Sequence, residues 1–244
     1  MKKWITSAVL VVSIVCYTGI AFAKVTSISG GRPPVKITKS GSYQLQSNIV
    51  ITNADTTAIL VTADNVTIDL NGFTIMGPNI CTGSGETLVC NNNGDGMGID
   101  ADDKQNIKVY NGTIRGMGNK GIQAGVGSII ESVRVISNGA HGITVGSGRV
   151  SGNTATGNNG NGISVYSDSG TVSGNTATRN RYAGIYVITN GTVSGNTVTG
   201  NGGKGLHLVS NVGYVNNVLD NNTGEDVAGG VNLKPNLCSG ALCP

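Results

Sequence analysis

Aromatic and charged side chains are scarce in this chain. Aromatic residues make up 4% of its 244 residues and charged residues 12%, whereas glycine occurs 39 times. So few large side chains argue against an ordinary close-packed globule. Glycine and asparagine accept left-handed backbone angles that other residues resist, so their abundance favours stacked tight turns.

The chain also lacks a basic region. Its net charge is +3, and Lys2 and Lys3 supply two of these charges. Proteins that bind nucleic acid usually cluster lysine and arginine on one face, so the sequence predicts no nucleic-acid partner. The two histidines, His141 and His207, are far apart in sequence, which argues against a copper site.

The N-terminal segment has the features of a secretory signal. Lys2 and Lys3 precede an apolar run at 8–15, and Ala21-Phe-Ala23 fits a cleavage site before Lys24. We therefore expect residues 1–23 to be removed and the protein to be secreted or periplasmic, with no membrane span left. The alternative is a retained anchor, for which the apolar run is short.

Four cysteines remain after that cleavage, in two local pairs. Export to an oxidising compartment favours the disulfides Cys81–Cys90 and Cys238–Cys243. The first would staple an inserted loop, and the second would tie down the C-terminal tail. A metal site is the alternative, but no suitable histidines lie near these cysteines.

Two interleaved phrases repeat through the C-terminal half, one of the type Gly-Ile-x-Val and one of the type Val-Ser-Gly-Asn. The first begins at Gly142, Gly162, Gly184 and Gly205, and the second at Val150, Val172, Val193 and, in degraded form, Tyr214. A period of about 21 residues with two short alternating strands per unit predicts a solenoid of stacked coils.

Alternation within these strands predicts which side chains each coil buries. The inward residues are Ile99, Ile122, Ile143, Ile163, Ile185 and Leu206, together with Ala155, Ala177 and Val198. The outer column on the same strand comprises Asp100, Gln123, Thr144, Ser164, Tyr186 and His207. Corner amides are expected to form hydrogen-bonded ladders at Asn153, Asn175 and Asn196 and at Asn158, Asn180, Asn201 and Asn222.

These patterns divide the chain into four segments after the signal. We predict an N-terminal cap over 24–48 and a solenoid of about seven coils over 49–228. A loop insertion at 78–97 interrupts the solenoid, and a C-terminal cap or tail covers 229–244. No stretch has the pattern of an amphipathic helix.

The alternation of Gly-Ile-x-Val with Val-x-x-Asn resembles the repeat of pectin-lyase-like proteins. The sequence from Ala63 to Ile75 also resembles the first coils of many secreted bacterial β-helix proteins. This resemblance covers about residues 40–227 and implies an all-β fold, a right-handed single-stranded parallel β-helix. It does not imply one activity, because such proteins include lyases, hydrolases, epimerases and adhesins.

A polysaccharide-lyase function would need carboxylates that hold calcium and a basic residue that removes a proton. The candidate catalytic residues are Asp100, Asp102, Asp103, Lys104, Arg115 and Arg134. Asp100 and Asp102 are the weak calcium candidates, and otherwise we expect no cofactor and no metal. The simpler interpretation of these acids is a solvated turn after a short strand.

Other family motifs are incomplete in this chain. A hydrolase needs two carboxyl groups at a suitable separation, and no such pair follows from the strands. Ala140-His141-Gly142 lacks the first glycine of the Gly-His-Gly motif, and the Asp-Pro-His-Asp motif of mannuronan epimerases is absent. We expect His141 to be an exposed corner residue.

One face combines aromatic and basic residues in a way that suits sugar stacking. The candidate carbohydrate-binding residues are Tyr166, Arg179, Arg181, Tyr182, Tyr186 and His207. Tyrosine also favours strands for structural reasons, so this alternative stays open. Paired threonine columns, at 154/156, 176/178 and 197/199, resemble those of ice-binding solenoids.

Taken as a secreted β-helix, the protein is expected to be a non-catalytic surface, carbohydrate-binding or structural protein. The partner would be a polysaccharide or a cell-surface glycan. The alternative is an extracellular polysaccharide lyase or hydrolase that acts on acidic, uronate-containing glycans. An ice-binding protein is a lesser alternative.

Overall fold

A computed structural model describes residues 24–167, 169–188, 190–209 and 211–243. The expected signal peptide, residues 1–23, lies outside these described residues. The described chain is almost entirely β-structure, with one short 3-10 helix at Gly85–Thr87. Among these residues, no helix has the length and apolar character needed to cross a membrane.

The strands are short, and most contain two to five residues. In chain order they are β1 (Val25–Ile28), β2 (Val35–Ile37), β3 (Gly41–Leu45), β4 (Ile49–Val50), β5 (Ile59–Val61), β6 (Val66–Asp69), β7 (Thr74–Met76), β8 (Cys81–Thr82), β9 (Val89–Cys90), β10 (Ile99–Ala101), β11 (Lys108–Arg115), β12 (Ile122–Ala124), β13 (Ser128–Ile136), β14 (Ile143–Val145), β15 (Gly148–Ser151), β16 (Thr154–Thr156), β17 (Ile163–Val165), β18 (Gly170–Ser173), β19 (Thr176–Thr178), β20 (Ile185–Val187), β21 (Gly191–Ser194), β22 (Thr197–Thr199), β23 (Leu206–Leu208), β24 (Val212–Val215), β25 (Val218–Asp220), β26 (Val227–Ala228), β27 (Val231–Asn232), β28 (Leu237–Cys238) and β29 (Ala241–Leu242).

Two parallel sheets wind around one core. The nine-stranded sheet has the order β2-β5-β10-β12-β14-β17-β20-β23-β26. The eighteen-stranded sheet has two arms, because each coil contributes a strand such as β15 and then, after a bend, a strand such as β16. A coil therefore runs through the nine-stranded sheet, the first arm and the second arm before it returns one level higher.

The predicted inward residues form continuous buried stacks. Ile122, Ile143, Ile163 and Ile185 pair in register along the nine-stranded sheet, and all four are fully buried. Val150 and Val172 stack in the first arm, and Ala155 and Ala177 in the second. The core is therefore a column of aliphatic layers, as the alternation predicted.

Two buried asparagine ladders run along the solenoid. In the first, each side-chain Nδ2 donates to Oδ1 of the next asparagine at 2.9–3.0 Å, through Asn153, Asn175, Asn196, Asn217 and Asn236. The second ladder runs at 2.9–3.0 Å through Asn138, Asn158, Asn180, Asn201 and Asn222. The ladders confirm the predicted role of the corner amides.

Each ladder amide also satisfies backbone groups in the bends. Asn175 Oδ1 accepts the backbone N–H of Asn153, and Asn175 Nδ2 donates to the carbonyl of Val150. A Cβ on Gly184 would clash with Val198 and would lie 2.7 Å from the ladder amide of Asn201. The glycine of the Gly-Ile-x-Val phrase therefore leaves room for the ladder.

The second ladder ends on a carboxylate. Asn222 Nδ2 donates to Asp226 Oδ1 at 3.0 Å, and Ser239 Oγ donates to Asp226 Oδ2 at 2.7 Å. Asp226 therefore joins the last coil to the C-terminal segment. The Cys238–Cys243 disulfide closes that segment, as predicted.

The predicted all-β solenoid is confirmed, but it has about ten turns rather than about seven. The segment predicted as an N-terminal cap contributes β1 and β2, which pair in parallel with β3 and β5. The predicted C-terminal tail contributes β27 and β28, which pair in parallel with β24 and β25. Backbone pairing needs no repeat phrase, so these degenerate coils were not visible in the sequence.

The insertion at 78–97 forms a strap across the turns that lead into the nine-stranded sheet. Its strands β8 and β9 are antiparallel, and the Cys81–Cys90 disulfide joins them as predicted. The N–H of Asn79 donates to the Gly116 carbonyl at 2.8 Å. The N–H of Gly85, at the tip, donates to the Arg179 carbonyl at 3.4 Å. The strap therefore spans the turns of several successive coils.

Candidate functional site

The acid cluster lies near the N-terminal end of the nine-stranded sheet. Asp100 stands in the outer column of β10, in register with Leu60 and Gln123. The Asp102 N–H donates to Asp100 Oδ1, and the Asp103 N–H donates to Asp102 Oδ1, both at 3.2 Å. These carboxylates therefore bind their own turn, which matches the simpler sequence interpretation.

The arginines expected beside these acids lie on another face. Arg115 and Arg134 belong to the second arm of the eighteen-stranded sheet, where they pair with Met76 and Thr154. The Arg115 Nη2 is 2.9 Å from Met76 Sδ. Lys104 stays in the turn after β10. The six candidate catalytic residues therefore do not form one site. Among the described residues, no three His, Cys, Asp or Glu side chains are grouped to hold a metal ion.

The candidate carbohydrate-binding residues separate into two groups. Arg179, Arg181 and Tyr182 lie in the turns beneath the tip of the strap. The Arg181 Nη1 donates to Asn159 Oδ1 at 3.1 Å, and its guanidinium carbon is 5.9 Å from the Tyr182 ring centroid. The other three residues lie on the nine-stranded sheet.

An aromatic row crosses four successive coils on the outer face of the nine-stranded sheet. The ring centroids of His141 and Tyr166 are 6.5 Å apart, and those of Tyr166 and Tyr186 are 5.7 Å apart. The rings of Tyr186 and His207 follow at 4.8 Å. Each pair meets edge to face, which is a favourable geometry for aromatic rings.

Small polar residues form the floor beneath the row. Thr144 and Ser164 occupy the outer column between Gln123 and Tyr186, yet both are buried, Thr144 with 5% exposure. His141 precedes β14 and Tyr166 follows β17, and their ring centroids are 6.5 Å apart. The two rings therefore approach each other next to this buried part of the outer column.

Hydrogen bonds fix most of the floor. Ser164 Oγ accepts a bond from Asn161 Nδ2 at 3.2 Å, and Asn161 Oδ1 accepts the N–H of Ala183 at 3.0 Å. The Lys120 ammonium donates to Gln123 Oε1. Thr144 Oγ1 has no hydrogen-bond partner within the part of the chain that the structure describes.

The His141 imidazole is held in one tautomer. Its Nδ1 accepts the backbone N–H of Asn161 at 2.9 Å, so the neutral ring carries its proton on Nε2. Burial, and secondarily the charge of Lys120, lowers the pKa of His141 from 6.5 to about 4. His141 is therefore a neutral hydrogen-bond donor near neutral pH. Burial and Lys204 also lower the pKa of His207.

Comparison with known proteins places the fold. Residues 146–224 match the family described as a right handed beta helix region. The chain is a right-handed parallel β-helix. It is similar in structure to the A-module of a mannuronan C-5 epimerase from Azotobacter vinelandii, with a TM-score of 0.50 and 14% sequence identity, covering 82% of this chain and 68% of that chain. No curated protein matches it in sequence.

The expected fold, a right-handed parallel β-helix, is thus confirmed. The row offers aromatic ring surface and two phenolic hydroxyls, and His141 offers an N–H donor. Because Nδ1 of His141 already accepts a hydrogen bond, this ring is suited to donate to a ligand rather than to remove a proton from it. The arrangement suits binding of a polyhydroxylated molecule with apolar surfaces.

Sequence reasoning missed two members of this site. His141 was expected to be an exposed corner residue, but its ring joins the row. Thr144 was placed in the outer column without a role. One sequence feature could have indicated both residues: the outer positions Thr144 and Ser164 are small, and a tyrosine, Tyr166, directly follows the strand that contains Ser164. Strand alternation does not show the direction of a ring that lies outside the strand.

The threonine columns lie on the outer face of the second arm, away from the row. Thr156, Thr178 and Thr199 align there in register, and the Thr178 hydroxyl donates to Thr156 Oγ1 at 3.1 Å. At their C-terminal end the neighbouring column continues into the exposed side chains of Val218 and Leu237. Ice binding by these columns stays a prediction.

Proposed function

We propose that this β-helix is a non-catalytic carbohydrate-binding protein that holds a glycan along the aromatic row. The observation that supports this most is the continuity of the four rings from His141 to His207 above a polar floor. One solved structure that it resembles is, by its name, a mannuronan epimerase, which favours a saccharide ligand here too.

The row has a spacing suited to a chain of sugars. Successive coils of a parallel solenoid are about 4.8 Å apart, which is close to the length of one pyranose unit. The ring centroids are separated by 4.8 to 6.5 Å. A glycan chain lying parallel to the solenoid axis would therefore meet one ring per sugar.

The surroundings of the row favour a glycan over other partners. Lys120 lies near His141 and Lys204 near His207, so these two cations stand at opposite ends of the row rather than in the continuous basic stripe that suits a nucleic-acid backbone. The two disulfides favour an oxidising compartment, so we propose a secreted or periplasmic protein. A glycan at the cell surface is the partner consistent with both features.

Replacing Tyr186, the ring with a neighbour on each side, tests this function. Tyr186→Ala removes the centre of the row, so we expect glycan affinity to fall about tenfold, because one stacked ring contributes roughly 0.5–1.5 kcal/mol beyond its buried area. The measurement is titration calorimetry with cellohexaose, mannohexaose and a mannuronate hexamer, using whichever of them the wild-type protein binds.

Tyr182→Ala is the matched control. Tyr182 is 55% exposed and lies in the turns beneath the strap tip rather than in the row. Its removal should leave affinity unchanged. Equal losses from both variants, or a loss from Tyr182→Ala alone, would rule out the row as the binding site.

The second candidate function is an enzyme acting on acidic polysaccharide. It is favoured by the position of Asp100, in the same outer column as Tyr186 and His207. Incubation with polymannuronate or polygalacturonate and calcium would then produce unsaturated ends that absorb in the ultraviolet. Loss of that absorbance in Asp100→Ala/Asp102→Ala would assign the chemistry to the acid cluster.

A further inference from the structure

The hydroxyl of Thr144 is an exception in the packing of this protein. Within the described residues, it is the one buried side-chain nitrogen or oxygen without a hydrogen-bond partner. The other buried polar side chains are mostly asparagines, and the ladders and bends satisfy them. A buried hydroxyl without a partner destabilises the folded state.

The fold itself does not require a hydroxyl at this position. Valine has nearly the same shape as threonine and favours strands equally well. Thr144 lies in the middle of β14 and pairs through its backbone with Gln123 and Ser164. A valine there would keep the strand and remove the unpaired group. The hydroxyl therefore points to a role outside folding.

The position of Thr144 indicates what that role is. It stands in the outer column of β14, in register with Ser164 of β17, and the rings of His141, before β14, and Tyr166, after β17, are 6.5 Å apart. His141 has its Nδ1 occupied by the Asn161 N–H, which leaves Nε2–H as a donor with a fixed direction of bonding. A hydroxyl can both donate and accept, so Thr144 complements that donor.

We propose that Thr144 and His141 form a subsite for one hydroxyl or hydroxymethyl group of the bound sugar. The ligand oxygen accepts from His141 Nε2–H and exchanges a hydrogen bond with Thr144 Oγ1. Tyr166, whose exposure is 36%, adjusts its side-chain rotation to admit this group, and its ring stays in the row. Such rotations of exposed side chains are fast. The subsite rests on the proposed function and adds to it the residues that select the sugar.

Thr144→Val tests the subsite, because removal of the hydroxyl has opposite effects on stability and on binding. We expect the melting temperature to rise by about 2–4 °C, since an unpaired buried group is lost. We also expect affinity for the oligosaccharide that the wild type binds best, among cellohexaose, mannohexaose and the mannuronate hexamer, to fall about tenfold. Thr144→Ser keeps the hydroxyl and should retain the affinity.

Thr154→Val is the matched control on the second arm. Thr154 is half-buried in an outer column there, so neither binding nor melting should change appreciably. A Thr144→Val protein with undiminished affinity overturns the subsite. If Tyr186→Ala still weakens binding in that case, the proposed function stands without it. Failure of the wild type to bind any of the three oligosaccharides overturns both proposals.

Discussion

The half-buried imidazole of His141 connects the candidate site to the stability of the whole protein. In the folded state its pKa is about 4, because burial and Lys120 disfavour the charged ring, against 6.5 for an unperturbed histidine. The unfolded chain therefore takes up a proton first as the pH falls. The free energy of unfolding is therefore not reduced by this group above pH 6.5, and it decreases progressively as the pH falls from 6.5 towards 4.

His141→Asn should flatten this pH dependence. An asparagine oxygen can accept the Asn161 N–H that Nδ1 now accepts, but it cannot be protonated in this range. Between pH 7.5 and 4.5 we expect the wild type to lose about 2 kcal/mol more unfolding free energy than the variant. Calorimetric melting at half-unit pH steps measures the difference.

His207→Asn provides the comparison for that experiment. Burial also lowers the pKa of His207, but its side chain is more open to solvent, so its removal should change the profile less. The hydrogen bond from Lys108, with the charges of Lys108 and Arg149, lowers the pKa of Glu131, and this carboxylate is common to all three proteins, so its contribution cancels in the comparison. Parallel wild-type and His141→Asn profiles would contradict the assignment.

In the asparagine ladders, each internal side chain forms hydrogen bonds to the coils on both sides of its own. Asn175 bonds to Asn153, Asn196 and the carbonyl of Val150. Asn175→Ala would leave these buried groups unpaired at a cost of about 1–3 kcal/mol each. We expect the melting temperature to fall by roughly 10 °C, as measured by circular dichroism.

Thr176→Ala is the neighbouring control for the ladder. Thr176 is half-buried on the outer face of β19, so its change should stay within about 0.5 kcal/mol. A similar loss from both variants would mean that strand propensity, rather than the ladder, accounts for the effect.

The insertion of one exact repeat tests the solenoid as a whole molecule. A second copy of 196–216, placed after Asn216, adds one period, because Asn196 and Asn217 are 21 residues apart. Neighbouring repeats contact only each other, so we expect a folded protein that melts within a few degrees of the wild type. X-ray scattering should show it longer by about 4.8 Å.

A half-period insertion is the control for register. Duplicating only 196–206 would turn inward residues outward in the following coils and break both ladders. That protein should be largely unfolded or aggregated. Equal stability of the two insertions would show that the ladders do not define the register.

The sequence predicted the scaffold of this molecule better than its site. Inward aliphatics and corner asparagines follow from period and alternation, since each depends only on neighbouring coils. The outermost coils, built on β1 and β28, lack the phrases because they pair through the backbone alone. The contact of His141 with Tyr166 depends on side-chain direction across two strands, which periodicity does not encode. The sequence could not place Arg115 on the eighteen-stranded sheet, because that assignment depends on how many residues each turn contains.

Asp226 gives the ladder from Asn138 to Asn222 a direction and an end. Every amide in that ladder donates towards the C-terminus, so their dipoles add and the positive end falls at Asn222. A carboxylate accepts there and has no proton to pass on. The relay of hydrogen bonds therefore stops at this residue. A β-helix of this kind can lengthen by duplication within the column, whereas a coil appended beyond Asp226 would find no donor in this ladder.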